Sequence, residues 1–137
     1  RLIGLVARLR GPEGCPWDRA QTHRSLRGML LEEAYEVIAA IEEGDGRALK
    51  DELGDLLLHV VFQSQIAREG GQFAIEDVLE GLNEKLIRRH PHVFNEGEAE
   101  GVAEIRQRWE EIKHGEGKCP EMRGHLPALL EARKAQE

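Results

Sequence analysis

The sequence predicts an all-α fold, a four-helix-type bundle with additional short helices. Three observations carry this expectation. Apolar residues recur at three- and four-residue spacing along most of the chain. No stretch alternates apolar and polar residues as a half-buried strand would, and no Asn-Gly hairpin signal occurs. Aromatic residues make up only 4% of the 137 residues and charged residues 33%, a balance that suits a helical core of Leu, Ile, Val and Ala.

The elements follow in order. Leu2, Leu5, Val6 and Leu9 have helical spacing and predict a short first helix. The segment Gly11-Pro12-Glu13-Gly14-Cys15-Pro16-Trp17-Asp18 breaks it. A long amphipathic helix is expected from about Thr22 to Glu43, its apolar positions being Leu26, Met29, Leu30, Ala34, Val37, Ile38 and Ile41. Gly44-Asp45-Gly46 ends it, and Asp45 is placed to cap the next helix. That helix spans Arg47 to Glu69, with Leu49, Leu53, Leu56, Leu57, Val60, Val61 and Ile66 as its core, and Gly70-Gly71 terminates it. A fourth runs from Ile75 to about His90 through Val78, Leu79, Leu82 and Leu86, stopped by Pro91. A polar stretch, Asn95 to Gly101, precedes a fifth helix near Val102 to His114, and the last apolar segment is Leu126 to Ala132.

The length fits one domain with a single core, residues 1–137. The chain begins at Arg1 and ends inside a helical pattern, so one part of a longer or tandem protein is expected. A bundle with one site per chain is expected to complete its core as a homo-oligomer, a dimer or higher. The formal net charge of −7 argues against nucleic-acid binding, which needs a basic surface. No apolar run approaches the roughly 20 residues of a membrane span. Cys15 and Cys119 are far apart and belong to no C-x-x-C motif, which points to reduced thiols and a cytoplasmic protein.

The chemistry concentrates in four acids. Glu33 and Glu36 form an E-x-x-E pair, and Glu52 and Asp55 an E-x-x-D pair on the next helix. A helix turns about 100° per residue, which puts Met29, Leu30, Val37 and Ala40 within about 60° of Glu33. Glu33 therefore lies mid-stripe and Glu36 at its edge. The same arithmetic places Leu49 and Leu56 beside Glu52 and Asp55 at the edge. The short turn at Gly44-Asp45-Gly46 makes the two helices antiparallel, so the pairs can face each other. Acids on an apolar face repel one another and lose hydration unless a cation offsets the charge. Oxygen-only ligands favour Mg²⁺ or Mn²⁺ over iron or zinc, and the Glu-x-x-His motif of di-iron bundles is absent.

Several motifs together resemble a known family. These are Cys15-Pro16-Trp17-Asp18 with Gln21-Thr22-His23, Leu31 to Val37, Asp51 to Leu57, and Arg88-Arg89-His90-Pro91-His92-Val93-Phe94. With Arg108 to Lys113 and Leu126 to Leu130, they are similar to the MazG nucleoside triphosphate pyrophosphohydrolases, in the right order over nearly the whole chain. The resemblance implies an all-α, Mg²⁺-dependent, oligomeric enzyme. Such enzymes cut nucleoside triphosphates between the α and β phosphates, giving monophosphate and pyrophosphate. It carries the metal ligands over to Glu33, Glu36, Glu52 and Asp55, with broad base specificity expected. A narrower dNTP pyrophosphatase of the dCTP or dUTP kind, and a nucleotide-sensing module without catalysis, are the alternatives.

An anionic substrate needs cations. Lys85, Arg88 and Arg89 cluster on the fourth helix and are the expected phosphate contacts, though cations also suit a helix C-terminus. His90 and His92 either lie near the site or shape the turn at Pro91. By the resemblance, Trp109 is expected to contact nucleotide, with Lys113 one turn later reaching a phosphate. Trp17 with Asp18 is expected to fix the entry loop near a base pocket. His23 and His59 are read as structural.

Overall fold

The computed structural model describes residues 1–94 and 101–116. Among the described residues all regular structure is helical: α1 (Leu2–Arg10), α2 (Pro16–Ala20), α3 (Arg27–Glu43), α4 (Gly46–Glu69), α5 (Ile75–Arg89), α6 (Pro91–Phe94) and α7 (Val102–Gly115). The chain divides into two compact units, Arg1–Leu82 and Asn83–Glu137.

In the first unit α3 and α4 pair most extensively, α1 packs on α4, and α2 packs on α1. The reversal between α3 and α4 is built from two residues. Gly44 adopts a left-handed φ of 69°, which a side chain would strain. Asp45 then accepts hydrogen bonds at Oδ1 from the backbone N–H groups of Arg47 (2.9 Å) and Ala48 (3.1 Å). Two otherwise orphaned donors at the start of α4 are thereby satisfied.

The glycine- and proline-rich break after α1 is not all loop, as the sequence suggests, but contains α2. Pro16 opens this helix at a position where its missing N–H costs nothing. Gly14 is required for close approach, since a Cβ there would sit 2.1 Å from the Leu9 carbonyl oxygen. The Cys15 N–H donates to that same oxygen at 2.7 Å. α3 starts at Arg27 rather than near Thr22. Thr22 and Ser25 instead cap each other: the Thr22 N–H donates to Ser25 Oγ (2.9 Å) and the Ser25 N–H to Thr22 Oγ1 (3.1 Å). This local bonding competes with helix at that point.

Val6, Leu26, Val61 and Phe62 form the core, with Ile3, Met29 and Ile66 against them. Arg10 locks its edge. The side chain is only 7% exposed and lies over the Phe62 ring. Nη1 donates to the backbone oxygens of Asp18 (2.6 Å) and Gln21 (3.2 Å), and Nη2 to Glu69 Oε2 (2.7 Å). One guanidinium thus ties α1, the end of α2 and the end of α4 together.

Several expected core positions remain exposed, notably Ile38 (48%), Ile41 (59%), Leu53 (48%) and Leu57 (52%). A helix pair buries only the flanks that its own contact and a third element cover. Here that third element is α1, whose apolar face is short.

In the second unit α5 continues to Arg89. The turn at Pro91 is a further short helix, α6, where the sequence suggests only a stop. α7 lies where the fifth helix is expected. The expected segment Leu126 to Ala132, and Cys119, lie outside the described residues.

The Arg10 clamp makes a graded stability prediction. Arg10→Met strands two backbone carbonyls and Glu69, and should cost about 3 kcal/mol. Glu69→Gln breaks only the half-exposed, screened pair and should cost about 1 kcal/mol. Hydrogen bonding from Arg10 holds the Glu69 carboxyl below its ordinary 4.5. Its stabilising share is therefore present above pH 4.5 and is lost as pH falls through the lowered value. Urea unfolding of the two variants at pH 7 and in the acid range checks both the ranking and the pH window.

Candidate functional site

The α3–α4 pairing brings the acids together. One carboxylate oxygen each from Glu33, Glu36 and Glu52 lies within 4.8 Å of the other two. Glu33 and Glu52, the pair that helical angles put mid-stripe, are half-buried, while Glu36 and Asp55 are exposed. Asp55 stands outside the triangle, yet its charge acts on both Glu33 and Glu52.

Lost hydration is the main reason the Glu33 carboxyl is pushed above its ordinary 4.5, with the charges of Glu36 and Asp55 adding to it. Lost hydration likewise raises Glu52, followed by the charges of Glu36, Asp55 and Asp51. Raised values mean that the charged forms are held at a cost near neutral pH. A hard divalent cation removes that cost, and an all-oxygen donor set on two facing helices fits Mg²⁺ chemistry.

His59 on α4 adjoins this cluster. It is 7% exposed, and its Nε2 lies 4.0 Å from Glu33 Oε1. Its Nδ1 is buried without a hydrogen-bond partner. The ring also lines a hollow of about 80 Å³ shared with Trp17, Asp18 and apolar residues of the core. The sequence reading treats His59 as structural. The signal that could have singled it out is its position one turn after Asp55. His23, by contrast, hydrogen-bonds through Nδ1 to Gln63 on α4 and anchors the turn before α3.

The expected phosphate contacts lie in the second unit, and there Arg88, Arg89, Trp109 and Lys113 come together. Arg88 Nε donates to Glu116 Oε1 at 2.6 Å. Arg89 Nε and Nη2 donate to Glu116 Oε2 at 3.1 and 2.6 Å. Trp109 stacks under two cations, Arg89 at 5.2 Å and Lys113 at 4.8 Å from the ring centroid. Lys85 is exposed on α5, one turn earlier. Hydrogen bonds from Arg89 and Arg88 pull the Glu116 carboxyl down to about 2. Glu116 gives no sequence signal, because it lies past the last periodic residue of α7. His90 Nδ1 meets the Leu86 carbonyl at 2.7 Å and shapes the end of α5, with the His92 ring 5.7 Å away.

Comparison with known proteins bears on this geometry. The chain is 51% identical to the nucleoside triphosphate pyrophosphohydrolase/pyrophosphatase MazG of Thermotoga maritima, over 99% of this chain and 54% of that protein. It is 44% identical to the nucleoside triphosphate pyrophosphohydrolase of Escherichia coli K12, over 100% of this chain and 55% of that protein. The chain thus spans about half the length of these curated relatives. A crystal structure of a mazG-related protein from Thermotoga maritima superposes with a TM-score of 0.69 at 28% identity, covering 83% of this chain and 97% of that one. The family model for the MazG nucleotide pyrophosphohydrolase domain matches residues 21–94, which include all four acids and the Arg88–Arg89 pair. With the helical pair that carries those acids, this match establishes that the chain belongs to the MazG nucleotide pyrophosphohydrolase domain family.

Proposed function

We propose that this domain hydrolyses nucleoside triphosphates between the α and β phosphates, releasing monophosphate and pyrophosphate, with Mg²⁺ and broad base tolerance. The Glu33–Glu36–Glu52 triangle is the observation that carries the reading, supported by the names of the curated relatives. Glu33, Glu36, Glu52 and Asp55 hold the ion. A divalent ion held there would supply positive charge to offset that of the triphosphate oxygens. Glu36, at the exposed edge of the cluster, is proposed to accept a proton from the attacking water. Mn²⁺ meets the same ligand chemistry.

Arg88 and Arg89 are proposed as phosphate contacts with Lys85 and Lys113, and Trp109 as a nucleotide contact. The two guanidiniums already grip one carboxylate through three hydrogen bonds. Phosphate oxygens match that fork geometry. We further propose that residues 1–137 form a single catalytic domain, one part of a longer or tandem protein, assembled as a homo-oligomer that covers the exposed apolar residues of α3 and α4, with a cytoplasmic location.

Three outcomes test this. ATP and dCTP incubated with Mg²⁺ should each give monophosphate plus pyrophosphate by ion-exchange chromatography. Diphosphate plus phosphate would refute cleavage at the α–β bond. Glu52→Gln and Asp55→Asn should each lower kcat by about 100-fold with the helical circular dichroism unchanged. Near-normal turnover in both would remove the carboxylates from the mechanism. Finally, phosphate and Glu116 compete for the same guanidiniums, and at neutral pH Glu116 is fully charged. Glu116→Gln should therefore lower KM for ATP several-fold, whereas a carboxylate that merely positions the arginines would raise it when removed.

A further inference from the structure

We propose that α1 and the first two turns of α5 are the two halves of one interface, and that α5 of a second copy of this chain docks on α1. This surface is separate from the α3–α4 face and does not depend on the activity proposed above.

Both helices present an apolar face that the described residues leave uncovered. On α1, Val6 and Ile3 turn into the core. Leu2, Leu5 and Leu9 form a second stripe, 37%, 52% and 43% exposed. At about 100° per residue these three fall within about 60° of one another. On α5, Ile75 is buried where the helix begins, while Leu79 and Leu82 are 51% and 44% exposed. Among the described helices α1 packs on α2 and α4, and over residues 75–82 no other helix lies alongside α5.

The two faces carry opposite charge. Residues 1–10 hold Arg1, Arg8 and Arg10 and no acid, whereas residues 75–82 hold Glu76, Asp77 and Glu80 and no base. Arg10 is engaged in the clamp on Glu69, and Asp77 accepts from the Ala74 N–H at 2.7 Å. Arg1, Arg8, Glu76 and Glu80 are exposed, and no hydrogen bond or ion pair engages their side chains among the described residues. Arg1 and Arg8 flank the α1 stripe, about 40° and 60° round from Leu5. Glu76 and Glu80 share one flank of Leu79, about 60° and 100° round from it.

Beside the α1 stripe the surface is concave. Leu5, Arg8, Leu9, Glu13, Gly14 and Cys15 line a shallow hollow of about 490 Å³. An engineered cavity of about 150 Å³ takes up benzene. This hollow can therefore take more than one side chain of a helix. Glu13 is the one acid in its lining, and the three arginines of residues 1–10 outnumber it.

A helix that lays leucines on such a stripe, with cations at its rim, matches best when its own flank is acidic. That is the pattern of α5. A foreign acidic helix would suit α1 equally but would leave Leu79 and Leu82 uncovered. A second copy meets both needs, because twofold symmetry repeats the contact with the roles exchanged. The chain's own end is a poorer match. Residues 126–137 hold two acids and two bases and so offer neither helix a net charge.

The test reverses each face and then recombines them, with sedimentation equilibrium of the full chain as the readout. One variant carries Arg1→Glu and Arg8→Glu, the other Glu76→Lys and Glu80→Lys. All four positions are exposed, and helical circular dichroism checks that both variants fold. The wild-type chain should self-associate. Each variant alone should show a dissociation constant at least about tenfold higher, since like charges then face each other. An equimolar mixture of the two should regain wild-type affinity, because the mixed pair restores opposite charges at both contacts. A monomeric wild-type chain overturns the inference and leaves α1 to a foreign helix. So do variants that associate as tightly as wild type, or variants that are weak alone and stay weak when mixed.

Discussion

The reversal at Gly44–Asp45 sets the height at which α3 meets α4, and the candidate site depends on that height. Glu33 and Glu36 sit on one side of the turn, Glu52 and Asp55 on the other. A left-handed glycine and an aspartate cap fix the entry angle of α4. Slipping α4 by one residue would rotate Glu52 about 100° around its helix, away from Glu33. The carboxylate triangle is thus a consequence of register. Its acids need no loop and no long-range scaffold to hold them, only two helices and the turn between them.

Such a cluster is held against its own repulsion. Glu33 and Glu52 are both pushed up, first by lost hydration and then by their neighbours' charges. The apolar cluster that opposes this is small among the described residues: Val6, Leu26, Val61 and Phe62, with Ile3, Met29 and Ile66 against them. Arg10 supplements it by a different route. Its guanidinium uses polar bonds to fasten α1, α2 and α4 where apolar area is scarce. The first unit therefore combines a modest apolar core, a buried polar clamp at one end of α4 and an electrostatically costly site near the other.

Helix existence and the convergence of Glu33, Glu36 and Glu52 were legible in the sequence because both follow from periodicity, whereas Asp55 stands outside that triangle. Asp45 as a cap and the glycine reversal were legible because their turn chemistry is local. What was hidden is instructive. Whether Ile38, Ile41, Leu53 and Leu57 are buried depends on which other element covers them, and amphipathicity does not name that element. α2 hides inside a segment that reads as breakers, since Pro16 both ends one pattern and starts another. The Thr22–Ser25 turn looks like part of a helix until its side chains are seen to cap each other. Glu116 was invisible because its partners are 27 and 28 residues away.

The two units pose complementary electrostatic problems. In Arg1–Leu82, three carboxylates crowd together and call for a cation. In Asn83–Glu137, Arg89 and Lys113 lie against Trp109 and Arg88 joins Arg89 at Glu116, a group of cations that calls for an anion, which Glu116 supplies in part. A lone metal ion answers only the first need and a lone phosphate only the second. A metal–triphosphate complex carries both, a hard cation and a row of anionic oxygens on one molecule. The proposed nucleotide substrate offers both kinds of group, which is why it accounts for the two clusters better than a stored metal or a bound anion would.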